Sequence, residues 1–464
     1  MSFIAIDIGG SFIKGAVIDV DKLRLSRLIR ITVPNFISVN TSFREINPQK
    51  IIAKVSQLIE KLLVHALPCE GIILCNQMHG FVLADSKSNA VSNFISWQDQ
   101  RSLMQYPKGR RGRTYFAEMK GRIHPEMVLR CGNELKPGSP ASVLYWHSKQ
   151  QDSNLAGTVP TGIGDFITAK LTQSNPVTDI TNAAAHGLYN LLDGKWDAEM
   201  ISGLGLEKMN WPEIKPHGSI AGFYRINNKK IPIYTSCGDH QCAILGVLID
   251  DDELSLNIAT GSQVSILSTY IEFGNYQTRP FFENKYLRTV THIPAGRSLN
   301  ALINLLTELP SAQNLKINDP WPYIENRASK ETSSNLKVAI SFFPGAFGNS
   351  GFIKQIREDN LTIGHLFNSV FQNMVCNYYS SAMRLAPFGT YRRLVFSGGL
   401  INKSKLLQDM LQQRFQLPYR LSPHNEDTLM GLMALSLYYS KRVKCITDAV
   451  KIMREKFILS DSLS

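Results

Sequence analysis

The chain has 464 residues, 44% of them hydrophobic and 19% charged, with a formal net charge of +12. A single hydrophobic core stops growing near roughly 250–300 residues, so two domains are expected, and the composition excludes a disordered or collagen-like chain. The positive balance raises the question of nucleic acid, but its one dense cluster, Lys108, Arg110, Arg111 and Arg113, reads as a solvated loop. No nucleic-acid partner is expected.

No apolar run approaches the roughly 18–20 residues that cross a bilayer, and the opening MSFIAIDIGG lacks the basic stretch of a secretory signal. The expectation is a cytoplasmic protein with no membrane partner. The seven cysteines (Cys69, Cys75, Cys131, Cys237, Cys242, Cys376 and Cys445) are scattered without CxxC spacing, which favours reduced thiols over a disulfide framework or structural zinc.

In chain order, Phe3 to Asp19 predicts a hairpin, two apolar runs joined at Gly9-Gly10-Ser11. Asp7 stands at the end of its first strand, beside a turn of phosphate size. A carboxylate there can hold Mg²⁺ while the turn amides and Ser11 contact phosphate oxygens, and Lys14 adds a cation. An ordinary hairpin that carries an Asp at its turn fits the same residues.

Asn47-Pro48 then predicts a helix start, with Ile51, Val55, Leu58, Ile59 and Leu62 at helical spacing. A strand-like GIILC follows and leads to the loop Asn76-Gln77-Met78-His79-Gly80. His79 reads as a wall of a binding site. Trp97 offers an apolar face, with Gln98, Asp99 and Arg101 as donors and acceptors for hydroxyls; a core Trp with polar neighbours is the plainer alternative.

The apolar run Ile231 to Thr235 leads into Gly238-Asp239 and a helix. Asp239 is placed either as a general base for a hydroxyl nucleophile or as a helix cap, and the residues alone leave both open. A lobe boundary is expected near residues 244–254, which gives lobes 1–245 and 246–464. The second lobe opens on another hairpin, Leu254 to Ser268, whose turn is Ala259-Thr260-Gly261-Ser262. Ile258 falls where Asp7 stands in the first turn, which suggests divided labour: metal and acceptor on the first lobe, phosphate on the second. Leu361 to Leu385 predicts a long amphipathic helix, followed by a strand-like LVF and the loop Ser397-Gly398-Gly399. The whole is α/β, two related lobes with phosphates held in the cleft between them.

GxxxxGK[ST], HExxH, GxSxG and the protein-kinase HRD/DFG pair are all absent. Taken together, IDIGGS, NQMHG, WQDQR, DFITAKLT, TDITNAAAHGLYN, CGDHQC, IATGSQ and SGGLINKS resemble the FGGY carbohydrate kinases over nearly the whole chain. Trp-Gln-Asp, where xylulokinases typically have Trp-Asn-Asp, and Gly-Asp-His-Gln-Cys are most similar to the sedoheptulokinases of that family.

The resemblance implies two actin-like, ribonuclease-H-like lobes closing over ATP, Mg²⁺ and a sugar. It implies Asp239 as the general base, Asp7 on Mg²⁺ or the acceptor, and Gly9, Gly10, Ser11, Thr260 and Gly261 around the phosphates. Gln77, Met78, His79 and Trp97 would line the sugar, and Gly296, Asn300, Gly398, Gly399 and Asn402 would flank the nucleotide. The expected reaction is phosphorylation of sedoheptulose, with xylulose or ribulose as alternative acceptors and a non-catalytic sensor as the alternative of another class; the expected state is a monomer or homodimer. Asn76, Ala259 and Ser397 depart from the family's glycines, which puts the local loop shapes at issue.

Overall fold

The computed structural model describes residues 1–459 apart from 38–39, 67, 108–111, 152–153, 332–333 and 388. Of the basic cluster, Lys108, Arg110 and Arg111 lie outside the described residues, and Arg113 pairs with Glu118 at 2.9 Å. No helix among the described residues is long and apolar enough to cross a membrane.

The first lobe begins with an antiparallel meander, β1 (Ser2–Ile8), β2 (Phe12–Asp19) and β3 (Arg24–Thr32). Phe3 to Ile8 of β1 are buried throughout, as a strand covered on both faces requires. Helix α1 (Pro48–Leu63) starts where the sequence places it: the Asn47 side chain accepts the Gln49 N–H and Pro48 takes the first turn. Its apolar stripe of Ile51, Val55, Leu58, Ile59 and Leu62 packs with Ile4, Ile6 and Val17 of the meander. Strand β4 (Cys69–Asn76) then pairs parallel to β1, and after α2 (Ile163–Thr172) strand β5 (Lys229–Tyr234) pairs parallel to β4. Helix α3 (Asp239–Gly246) closes the lobe.

The second lobe repeats this plan. It runs β6 (Glu253–Ile258), β7 (Ser262–Ser268), β8 (Tyr286–Ile293), α4 (Ile363–Leu385), β9 (Arg393–Ser397), α5 (Lys405–Phe415), β10 (Tyr419–Leu421) and α6 (Asp427–Tyr439). Strand order β8-β7-β6-β9-β10 copies β3-β2-β1-β4-β5, with antiparallel and parallel pairs in the same places. This doubled α/β plan is the actin-like, ribonuclease-H-like architecture.

The two sheets are joined through helices. Residues of α3 and α6 share one core with Phe3 and Ala5 of β1 and with Val395 of β9. A cut at residue 245 therefore separates the sheets but not the packing, because α6 and the helix Ile446–Arg454 bury Leu429, Met433 and Met453 with first-lobe residues. The α3–α6 crossing is close enough to need glycine on both sides. A Cβ at Gly246 would overlap the Asp427 carbonyl, and one at Gly431 would overlap the Cys242 carbonyl.

Gly431→Ala is expected to lower stability by at least about 2 kcal/mol, since rigid backbone must move to admit the methyl. Gly203→Ala, which meets open space at a helix end, is expected to be neutral. Thermal unfolding of both variants checks the pair; equal midpoints would mean that the helices are not in contact there.

Candidate functional site

The floor of the cleft is the carboxyl edge of three parallel strands. Asp7, Cys75 and Cys237 lie in one row across β1, β4 and the short strand Cys237–Gly238, with Ile8, Asn76 and Gly238 in the next. Strands sit about 4.8 Å apart, so Asp7 and Asp239 project from the same edge with one strand between them. In open α/β sheets this edge is where ligands bind.

Asp239 is the first residue of α3, and the cap position is held by Gly238. Burial pushes its carboxyl up to about 7, and the neighbouring Asp7 charge adds to the rise; the His240 and Met78 amides and the Arg279 guanidinium oppose it. Burial likewise raises Asp7, against the Lys14 ammonium and a hydrogen bond from Thr428. Asp7 Oδ2 accepts the Thr428 hydroxyl at 2.8 Å, while Oδ1 is buried with no hydrogen-bond partner among the described residues.

Asp7 Oδ1 is a hard oxygen acceptor that fits a cation arriving with phosphate. Among the described residues no cluster of three His, Cys, Asp or Glu forms a metal cage. Mg²⁺ characteristically binds through one or two carboxylates plus substrate phosphates, and the residues present fit that mode.

Around this floor the first glycine turn is exposed at Gly10 and Ser11. Gly10 lies against the Trp97 indole nitrogen and Gln77 Oε1. Gln77 Nε2 donates to the Gly9 carbonyl at 3.1 Å, and its Oε1 is left without a partner. Trp97 meets His292 of the second lobe edge to face, with ring centroids 6.0 Å apart.

His79 Nε2 lies 2.7 Å from Glu134 Oε2. Burial holds the ring neutral, with its pKa lowered to about 4. Lys136 approaches the same carboxylate at 3.9 Å and donates to Thr291 at 3.0 Å; burial first, and the Arg279 cation after it, bring Lys136 down to about 8 against the pull of Glu134.

On the second lobe, Thr260 and Gly261 are exposed at the turn after β6. Gly296 packs beneath them, with its N–H donating to the Ala259 carbonyl at 3.1 Å. Gly398 has φ +100° and a Cβ there would stand 2.6 Å from the Ile258 carbonyl, so this position requires glycine. Gly399 is open, and Asn402 Oδ1 is buried without a partner while Nδ2 donates to Asn425. Asn300 is exposed on the helix Gly296–Ala312. Thr260, Gly261, Gly296 and Gly398 gather at the carboxyl end of β6, as Asp7 does at that of β1.

Several expected contacts are otherwise engaged. Lys14 Nζ bonds Glu426 at 2.7 Å and stands 4.0 Å from Asp7, so it is neutralised at the floor and not left free for phosphate. Ser262 is buried and accepts the Tyr378 hydroxyl, which leaves its side chain inside the core. Asp99 and Arg101, expected as donors and acceptors for sugar hydroxyls, are instead buried on one another, with Arg101 also held by Glu45 and lying over the Phe43 and Trp146 rings. They fix the loop that presents Trp97. Asn76, Ala259 and Ser397 all keep negative φ, so none of the three departures demands glycine.

Sequence reasoning missed Glu134, Lys136, Arg279, His292, Glu426 and Thr428. Glu134 and Arg279 are 145 positions apart, and nothing in their local spacing marks them. It also gave no role to Asp165 and Asp179, which sit behind the segments that carry Asp239. Thr181 donates to Asp179 and accepts the Gly238 N–H at 2.8 Å, while Ser236 donates to Asp165 at 2.6 Å. Asn182 ties Ser236 to Asn76. The two segments that hold Asp239 are thereby pinned by one polar network.

Burial raises Asp165 to about 7, above the ordinary value near 4. A raised carboxyl contributes stability that is complete below its unfolded pKa and lost as pH rises through the folded one. Asp165→Asn keeps an acceptor for Ser236 and cannot ionise. Its melting temperature relative to the parent is therefore expected to rise between pH 5 and 8; a flat difference would contradict a buried, titrating carboxyl.

The description of the N-terminal domain of the FGGY family of carbohydrate kinases matches residues 2–246, more than half of the chain. Glycerol kinase 2 of Saccharolobus solfataricus is 26% identical over 264 residues, 53% of this chain and 48% of that protein. A glycerol kinase of Shewanella piezotolerans is 29% identical over 219 residues, 44% of this chain and 42% of that one. The chain spans about half the length of the curated relatives it matches.

Among solved structures, a ligand-bound xylulose kinase from Lactobacillus acidophilus superposes with a TM-score of 0.82 at 18% identity, covering 97% of this chain and 91% of that one. Plasmodium falciparum glycerol kinase with ADP gives 0.82 at 17% identity, covering 98% and 92%. At these identities the likeness is one of fold.

Proposed function

The chain belongs to the FGGY family of carbohydrate kinases, and from that premise we propose that it transfers the γ-phosphoryl group of ATP to a hydroxyl of a sugar held between its lobes. The observation that carries this reading is the pairing of Asp7 and Asp239 at one strand edge, with a glycine turn from each lobe beside them.

Asp239 takes the proton of the attacking hydroxyl. A carboxyl near 7 suits this work, because a general base is most effective when its pKa lies close to the operating pH. The Met78 and His240 amides and Arg279 keep the charged form accessible despite burial. Phosphoryl transfer passes through a loose transition state, so positioning and charge stabilisation carry most of the rate. Gly9, Gly10 and Ser11 face the phosphates from one lobe, and Thr260 and Gly261 from the other. Magnesium, which Asp7 Oδ1 would hold together with phosphate oxygens, supplies neutralising charge on the β- and γ-phosphates. Gly296, Gly398, Gly399 and Asn402 flank the nucleotide.

The acceptor we propose is sedoheptulose, phosphorylated at its terminal hydroxyl to sedoheptulose 7-phosphate. The support is Trp97-Gln98-Asp99, the CGDHQC run around the base, and a polar acceptor wall of Gln77, His79 and Trp97. Such a wall discriminates between ketoses, because a site built to hydrogen-bond a hydroxyl rejects an analogue that leaves its polar groups unpaired. Buried thiols outside any disulfide at Cys75, Cys131, Cys237 and Cys242 agree with a reducing compartment, the cytoplasm.

Coupled ADP release across sedoheptulose, xylulose, ribulose, gluconate and glycerol tests the assignment. The expected order places sedoheptulose first in kcat/KM. A different leading acceptor would reassign the substrate, and binding without turnover on any of them would make the chain a sensor. Asp239→Asn is expected to keep ATP affinity within a few-fold while kcat falls by about 10²–10⁴-fold. Unchanged turnover would remove Asp239 from the base position.

A further inference from the structure

Arg279 belongs to the second lobe, on the strand Gln277–Pro280 at the edge of that sheet, yet the residue is 3% exposed and its guanidinium lies against the first lobe at Glu134. The first-lobe segment around Gly132 grips this strand. The Thr278 N–H donates to the Gly132 carbonyl at 3.1 Å, and Asn133 Nδ2 donates to the Gly274 and Tyr276 carbonyls at 2.8 and 3.0 Å. Gly132 has φ +71°, and a Cβ there would overlap the Thr278 carbonyl.

Two residues on from Gly132, Glu134 is fully buried and receives Arg279 as a fork, Nε to Oε1 at 2.6 Å and Nη2 to Oε2 at 3.1 Å. Arg279 Nη1 continues to His240 Nδ1 at 2.8 Å. Since guanidinium only donates, His240 Nδ1 must accept, and its Nε2–H is left to face Ser265 at 3.3 Å.

The same logic fixes the other histidine. A carboxylate held by an arginine fork is ionised and only accepts. His79 Nε2, 2.7 Å from Glu134 Oε2, must therefore carry the proton, which makes Nδ1 the lone-pair nitrogen. Among the described residues Nδ1 has no partner, and the side chain is not sealed from solvent. His79 is held in this place at φ +68°, an uncommon backbone for a non-glycine residue and one that clusters at functional sites. It directly follows Met78, whose amide serves the Asp239 carboxylate.

We infer that Glu134 and Arg279 are positioning residues for the acceptor: they lock His79 in its Nε2–H tautomer and so leave Nδ1 to accept a hydrogen bond from a non-reacting hydroxyl of the sugar. The inference rests on the kinase reading above. It adds that recognition of the sugar by the first lobe depends on a side chain of the second. Lys136 and His292 stand near the same group but do not touch its Nε2 proton, so the tautomer is set by Glu134 alone.

The test compares the full-length parent with Glu134→Gln and Arg279→Lys on the best ketose and its monodeoxy analogues. Glutamine can donate to Nε2 and so release the other tautomer. For Glu134→Gln the acceptor KM is expected to rise about tenfold or more, with KM for ATP within twofold. One monodeoxy analogue, poor for the parent, should serve the variant as well as the full sugar does. Arg279→Lys, which keeps the charge but loses the fork, should fall between.

An acceptor KM that stays within twofold while thermal stability falls would reduce Glu134 to a structural role and overturn the inference. So would equal losses for ATP and sugar. Imidazole ¹⁵N spectra of the parent read the tautomer without turnover: Nε2–H on neutral His79 at pH 7 is expected, and Nδ1–H or a doubly protonated ring would contradict it. If the parent phosphorylates no sugar, the kinase reading falls while the spectra still decide the tautomer.

Discussion

Everything at the cleft depends on two carboxylates, Asp7 buried and Asp239 half-buried, being held at one strand edge with little solvent to separate their charges. Water would screen the repulsion between Asp7 and Asp239; burial does not. The protein answers it with different surroundings. Asp7 is given a hydroxyl from Thr428 and the nearby Lys14 ammonium, itself tied to Glu426, and keeps one oxygen free. Asp239 is given one backbone amide at its own helix start, a second from Met78 on the loop after β4, and the charge of the Arg279 guanidinium. Two carboxyls placed in unlike environments can take unlike tasks, one toward a cation and one toward a proton.

The doubled architecture makes this edge possible. Each lobe supplies a glycine turn at the carboxyl end of its first strand, but only the first lobe places a carboxylate there: Asp7 is the penultimate residue of β1, and Asn257 holds that place in β6, with Ile258 matching Ile8. The lobes are joined at the α3–α6 crossing, where Gly246 and Gly431 admit the opposing backbone. Because α3 begins with Asp239, the crossing that unites the lobes also fixes the helix that carries this carboxylate. A second tie, Glu134 to Arg279, lies beside His79.

Much of this was legible in the sequence where chemistry is local. The hairpins, the Asn47-Pro48 helix start and the strand-to-helix joint at Asp239 are written in residues that touch their own neighbours. Side chains whose partners lie far along the chain were not. Lys14 beside a phosphate-sized turn reads as a phosphate ligand until Glu426, 412 positions away, is seen to hold it. Asp99 and Arg101 read as sugar ligands beside an exposed Trp, yet their spacing of two lets them pair with each other. Ser262 reads as a turn hydroxyl until Tyr378 claims it from α4. In each case a polar group found a buried partner, which burial demands and local spacing does not reveal.

The central claim is that Asp239 meets the reacting hydroxyl in a crevice it shares with Asp7 and both glycine turns. A crystal structure of the protein with ADP and its sugar tests this most directly. The account predicts the terminal hydroxyl within about 3 Å of the Asp239 carboxylate, with the phosphates bracketed by residues 9–11 and 260–261. A sugar whose terminal hydroxyl points away from Asp239, or a nucleotide that leaves either turn uncontacted, would contradict it.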